Sequence, residues 1–158
     1  MDEDKLNRLP PDVKKQFVKL AEKLSEKKQK TKVHDDFLTF VKHVWPEFIE
    51  GAHHKKIAEK FNDIANKKIK RLIINMPPRH TKSEFASFLL PAWMVGRRPN
   101  LKIIQSTHTT ELAIRFGRKA KTLMDSPEYK QVFDTRLRED SQAAGKWETQ
   151  QGGEYYAA

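Results

Sequence analysis

The residues from Met76 to Glu84 read Met-Pro-Pro-Arg-His-Thr-Lys-Ser-Glu, and several of them suit work on a chain of phosphates. A short apolar run, Arg71 to Asn75, precedes them, and a helical pattern opens at Ser83. A loop between strand and helix turns backbone N–H groups toward an anion, and the helix dipole adds to the attraction. In that setting Lys82 puts a point charge between the terminal phosphates of a nucleoside triphosphate, and the Ser83 hydroxyl is a ligand for Mg²⁺. Pro78, Arg79, His80 and Thr81 complete the cradle. Arg79 is placed to stabilise charge spreading over a transferring phosphoryl group, as an arginine finger in cis. The bland reading makes Arg79 a surface residue paired with Glu84 or Asp63.

The general phosphate-loop pattern has glycine where this chain has Met76 and Thr81. Neither residue adopts positive φ as cheaply as glycine. A strand, loop and helix with Lys-Ser at the hinge also occurs as plain structure.

The elements that must position this loop can be read around it. Residues 1–9 read as a tail. Pro10 and Pro11 punctuate, and Asp12 is expected to cap a helix whose narrow apolar stripe is Val13, Phe17, Leu20 and Leu24. Ser25 to Lys32 is nearly all polar and reads as a solvated linker, or as a basic arm that contacts DNA. A second helix is expected from Asp35 to Trp45, with Phe37, Phe40, Val41 and Val44 on one face and Pro46 as its stop. A third follows Gly51, burying Ile57, Ala58, Phe61, Ile64 and Ala65. Arg71 to Asn75 and Leu101 to Gln105 suit buried parallel strands. Ser83 to Met94 is a helix that Pro91 kinks or splits. Thr109 to Asp125 is another, broken by Ser126-Pro127. Lys146 to Thr149 and Glu154 to Ala158 read as a hairpin joined at Gly152-Gly153. Strands alternating with helices imply an α/β sheet with flanking helices.

The 158 residues carry a net charge of +10, which suits phosphates, nucleic acid or an acidic membrane face, or simply keeps the surface soluble. There are no cysteines, so disulfides and thiolate metal sites are excluded. The polar start is no signal peptide, and no apolar run approaches a membrane span. A soluble, intracellular protein is expected.

The loop residues Pro77 to Glu84 resemble the Walker A variant of the large terminase subunit of tailed bacteriophages, whose loop often reads PPRHGKSE. Gly51-Ala52-His53-His54 is similar to the family's approach to the loop. Pro91-Ala92-Trp93 with Gly96-Arg97, and Phe116-Gly117-Arg118, resemble two further segments. Trp147-Glu148-Thr149 with Gly152-Gly153-Glu154-Tyr155-Tyr156-Ala157 resembles its W-x-T…GG-x-Y-x-A hairpin. The resemblance spans residues 37–158, and the family's glycine-poor loop accommodates Met76 and Thr81.

The resemblance implies a RecA-like P-loop NTPase fold, with residues 1–32 as a basic helical arm before the ATPase part at 33–158. It implies an ATPase that uses ATP and Mg²⁺ to drive double-stranded DNA into a procapsid. The partners implied are DNA, the small terminase subunit, the portal of the procapsid, and sister copies in a ring. The setting implied is the cytoplasm of an infected bacterium. Lys82 and Ser83 take the phosphate and Mg²⁺ roles, and Arg79 matches the proposed cis finger. His53 or His54 sits where a glutamine-type motif reads adenine; the bland reading is a pair of surface histidines at a helix start.

Hydrolysis also needs a Walker B strand, an apolar run ending in Asp and Glu. Leu72-Ile73-Ile74 and Ile103-Ile104 are followed by Asn75 and Gln105, and Val132-Phe133-Asp134 is too short a run. The expectation is a family piece that stops before the Walker B strand and the nuclease domain, of marginal stability and weak in ATP binding. Two alternatives remain: a helicase-like P-loop ATPase, and a non-enzymatic nucleic-acid-binding module using the lysines at 14–32 and 67–71 with Arg97-Arg98.

Overall fold

The computed structural model describes residues 10–158, apart from the side chains of Pro11 and Gln142. The expected tail at 1–9, and with it the start of the basic arm, lies outside the described residues. Helix α1 (Pro11–Asp35) opens on Pro11, whose missing N–H costs nothing there. Asp12 lies in its first turn and complements the dipole, but no side chain caps the helix. The helix runs straight through Ser25 to Lys32, where a linker was expected. Lys, Glu and Gln are strong helix formers, and their propensity sustains a helix without an apolar stripe. Its side chains are almost all exposed until Val33, which is buried.

Helix α2 (Phe37–Val44) starts at Asp36, whose Oδ2 accepts from the Thr39 N–H at 2.8 Å and from the Thr39 hydroxyl at 2.7 Å. Asn62, on α3 (Ala52–Ala65), donates to Asp36 Oδ1 at 2.8 Å and accepts from the Phe37 N–H at 2.9 Å, so α2 and α3 are bolted together at that cap. After the loop, a π-helical stretch (Glu84–Leu89) runs into α4 (Leu90–Arg97). The Leu90 N–H bonds to the Phe85 carbonyl, five residues back. Pro91 follows with no N–H to give and a ring that crowds a regular helical turn, so the expected kink is realised as a widened one.

Strand β1 (Lys102–Gln105), α5 (Thr110–Asp125) and α6 (Pro127–Val132) follow, with Thr109 and Ser126 capping the two helices. The chain then makes β2 (Leu137–Ala143), β3 (Lys146–Thr149) and β4 (Glu154–Ala157). The sheet runs β1-β4-β3-β2. The anticipated hairpin forms, with Trp147 opposite Tyr155, and Gly152 turns it at a φ of +83°. The expected parallel sheet is instead a small mixed one: β4 lies parallel to β1, while β2, β3 and β4 are antiparallel neighbours.

Arg71 to Asn75 is not a strand of that sheet. Its residues alternate exposed and half-buried, with Leu72 and Ile74 against the core and Ile73 86% exposed. The pattern of a strand is present, but no described strand lies beside it to complete a ladder. Likewise β1 is not buried on both faces, since Ile104 is 77% exposed.

The core has two aromatic centres. Phe37 stands edge-on to Phe61, Phe85 and Trp93, with ring centroids 5.1 to 5.4 Å apart. Trp147 stacks on Tyr155 at 4.8 Å and donates its indole N–H to the Gly117 carbonyl at 3.2 Å. Among the described residues, no helix is long and apolar enough to cross a membrane.

Candidate phosphate-binding loop

The loop is anchored at its C-terminal side by Phe85, which is fully buried against Phe37, Phe48 and His54. The first helical hydrogen bond runs from the Phe85 N–H to the Thr81 carbonyl at 2.9 Å. Thr81 therefore stands at the helix mouth, and the N–H groups of Lys82, Ser83 and Glu84 fall in the turn that a helix leaves outside its own ladder. Ser83 is exposed and its hydroxyl caps nothing, so it stands open toward solvent. Lys82 folds back over the loop, with Nζ 3.4 Å from the Met76 carbonyl. Pro77, Pro78, Arg79, Thr81, Lys82, Ser83 and Glu84 line an open concavity of ≈ 540 Å³. A larger groove, ≈ 770 Å³, lies between α1, α2 and α6, with Glu22, Glu26, Lys30 and His43 on its walls; its charges are mixed and do not converge.

Arg79 and Thr81 have positive φ, +64° and +57°. This left-handed region costs an L-residue about 1–2 kcal/mol, and a β-branched side chain adopts it rarely. Thr81 is thus in the conformation for which the general pattern supplies glycine. Met76, the other such position, has no positive φ, so its side chain needs no special tolerance.

Thr81 is held from outside the loop. Its hydroxyl donates to the His80 carbonyl at 2.7 Å and stands 2.6 Å from His54 Nε2. His54 Nδ1 accepts from the Gly51 N–H at 2.9 Å, so the proton of the neutral ring sits on Nε2 and is donated to Thr81. Burial holds His54 below the ordinary histidine pKa, and the neighbouring His53 pushes the same way. His80 adds to this push, while Glu50 opposes it.

His53 and His54 do lie beside the loop: the His53 ring centre is 3.8 Å from that of His54 and 5.7 Å from that of His80. Both nitrogens of His54 are committed within the protein. His53 Nε2 is buried without a hydrogen-bond partner among the described residues. His80 Nδ1 lies 2.8 Å from the Pro78 carbonyl, which tightens the loop from inside.

Neither carboxylate of the bland reading holds Arg79. Glu84 is bound by Lys119, at 2.7 and 2.9 Å, and Asp63 by Lys60 and Lys68. Arg79 is exposed and points no hydrogen bond at either. Arg97 and Arg98, in contrast, are built into the fold. Arg97 lies over the Trp93 ring at 4.8 Å and bonds Asn66, and Arg98 donates to the Ala65 carbonyl at 3.0 Å. They are poorly placed for phosphate contacts. Asp134 is exposed and follows α6 rather than a strand. No group of acidic or histidine side chains among the described residues could hold a metal by itself.

The sequence reading missed the His54–Thr81 contact and the Glu84–Lys119 pair. The partners are 27 and 35 residues apart, and no local spacing announces either. No family model, no curated protein and no solved structure matches this chain.

Proposed function

We propose that this chain is the ATP-binding portion of a DNA-packaging motor of the large-terminase type, gripping Mg-ATP at residues 78–83. The observation that carries the reading is the left-handed backbone of Thr81 immediately before Lys82 and Ser83. A threonine held at an expensive φ at a helix mouth supports a ligand role for the N–H groups it aims. Lys82 bridges the terminal phosphates, Ser83 ligates Mg²⁺, and Arg79, exposed and without an ion pair among the described residues, reaches the transferring group. The RecA-like fold and the partners of such a motor (DNA, the small subunit, the procapsid portal and sister copies in a ring, in the cytoplasm of an infected bacterium) belong to this proposal. They rest on the five motif segments.

Equilibrium binding of Mg-ATP, followed by fluorescence of a labelled analogue and by calorimetry, tests it. Binding that Lys82→Ala removes is the expected result; binding that the variant leaves intact overturns it. A second reading, a nucleic-acid-binding module, draws on the exposed lysines of α1. It requires DNA binding that falls steeply with salt and ignores Lys82→Ala.

A further inference from the structure

We propose that His54 is a positioning residue for the phosphate loop: by donating to the Thr81 hydroxyl it holds Thr81 in the left-handed conformation that glycine supplies in ordinary loops. The proposal rests on the phosphate-loop reading above and names the device that lets such a loop dispense with glycine.

The geometry is a relay of directed hydrogen bonds. The Gly51 N–H donates to His54 Nδ1, His54 Nε2–H to Thr81 Oγ1, and the Thr81 hydroxyl to the His80 carbonyl, at 2.9, 2.6 and 2.7 Å. Each proton has one place to be, so the direction of the chain is fixed. His54 itself cannot shift. It is the third residue of α3, it is 6% exposed, and its ring lies against Phe48 and Phe85 at 4.8 and 5.1 Å. Phe85 also closes the first helical turn onto the Thr81 carbonyl. Thr81 is thereby gripped at its side chain and at its backbone by one cluster. The relay begins at the Gly51 N–H, and a Cβ at Gly51 would lie 2.9 Å from His53 Cε1.

A glycine at position 81 would adopt the same φ unaided. The histidine is needed because the residue is threonine. The two positions must therefore be coupled, which a merely structural histidine would not require.

The test is a cycle read by Mg-ATP affinity in native protein, His54→Phe, Thr81→Gly and the double variant, with Lys82→Ala as the control for the loop itself. Loss of the directed bond should weaken binding about tenfold in His54→Phe, while the double variant should bind within about twofold of Thr81→Gly. His54→Gln, whose amide N–H can occupy the place of Nε2–H, should recover most of the affinity, and Thr81→Val should copy His54→Phe without disturbing the buried cluster. Equal losses from His54→Phe with and without Thr81→Gly overturn the proposal and leave the loop reading standing. Failure of Lys82→Ala to reduce binding overturns the loop reading instead, and the proposal with it. An independent arm needs no nucleotide: ring ¹⁵N spectra should show the Nε2–H tautomer at His54, and an Nδ1–H tautomer sinks the idea whatever the affinities are.

Discussion

Lys119 straddles Glu84: its Nζ lies 2.7 Å from Oε1 and 2.9 Å from Oε2. The pair ties α5 to the second residue after Lys82, and the Lys119 ammonium also stands 5.4 Å above the Phe88 ring. The two side chains remain 37% and 35% exposed, so solvent screens most of the attraction. Lys119→Met should therefore lower stability in urea by no more than about 1 kcal/mol. Its larger effect should be on anion affinity. Glu84 would lose its partner and present an uncompensated negative charge beside the loop, weakening Mg-ATP binding more at low salt than at high salt. Equal weakening at both ionic strengths would count against this electrostatic account.

Arg79 offers a separation of stability from function. Its φ of +64° is a standing cost, and it forms no ion pair with Glu84 or Asp63 to offset it. Arg79→Gly should raise stability by about 0.5–1 kcal/mol by removing that cost. The same change removes the charge proposed to act on the transferring phosphoryl group. A loss of melting temperature in Arg79→Gly would mean that the arginine contributes contacts the geometry does not reveal.

Lys82→Ala should act in the opposite sense. The ammonium's one hydrogen bond among the described residues is a long one, 3.4 Å to the Met76 carbonyl, so stability should change by less than about 0.5 kcal/mol. Affinity for Mg-ATP should fall about 10- to 100-fold, the scale of a lost charge-assisted hydrogen bond. Chemical denaturation and calorimetry on the same preparation check both halves.

Local signals made several elements legible. The helix expected from Thr109 to Asp125 forms within one residue of those bounds, and the Gly152-Gly153 pair announces a turn because positive φ is needed there; Asp36, expected with Asp35 in the first turn of a helix, is instead the cap before it. The failures have equally physical causes. Ser25 to Lys32 is helical by propensity and offered no apolar period to read. Strand β2, with Arg138, Glu139 and Asp140 in sequence, is a solvated edge strand that carries charges and no alternation. Arg71 to Asn75 shows the reverse, a strand-like pattern without a partner among the described residues, because pairing is a property of two segments. In the loop, Lys82 and Ser83 are candidates from residue identity alone. The φ of Thr81 was not, because it depends on His54, which the fold brings from another helix.

Gly117 and Gly153, in two of the resembling segments, should tolerate nothing larger. A Cβ on Gly117 would lie 2.6 Å from the Ala144 carbonyl oxygen and from Tyr155 Cε1, and one on Gly153 would run into the Pro99 carbonyl oxygen. Backbone cannot yield as a side-chain tip does, so each alanine substitution should cost about 1–3 kcal/mol. Gly117→Ala should also strip Trp147 of its acceptor geometry and redshift its fluorescence. A melting temperature within experimental error of the native value for both variants would contradict the packing described.

Acid should loosen the loop through His54, and the sign follows from its surroundings. Burial and the neighbouring His53 and His80 hold its pKa below the ordinary value of 6.5, and only Glu50, itself paired with Lys42 and Lys55, pulls upward. Between that depressed value and 6.5 the unfolded chain binds more protons than the folded one, so stability rises with pH. The contribution is complete above 6.5 and is lost as pH falls through the folded value. Protonation puts a hydrogen on Nδ1, where the Gly51 N–H already points, so the relay to Thr81 fails at its first bond. Urea denaturation from about pH 7.5 to about pH 5 should show a steeper decline for the native chain than for His54→Gln, which does not titrate there. Parallel profiles would assign the acid sensitivity to another group and overturn this account.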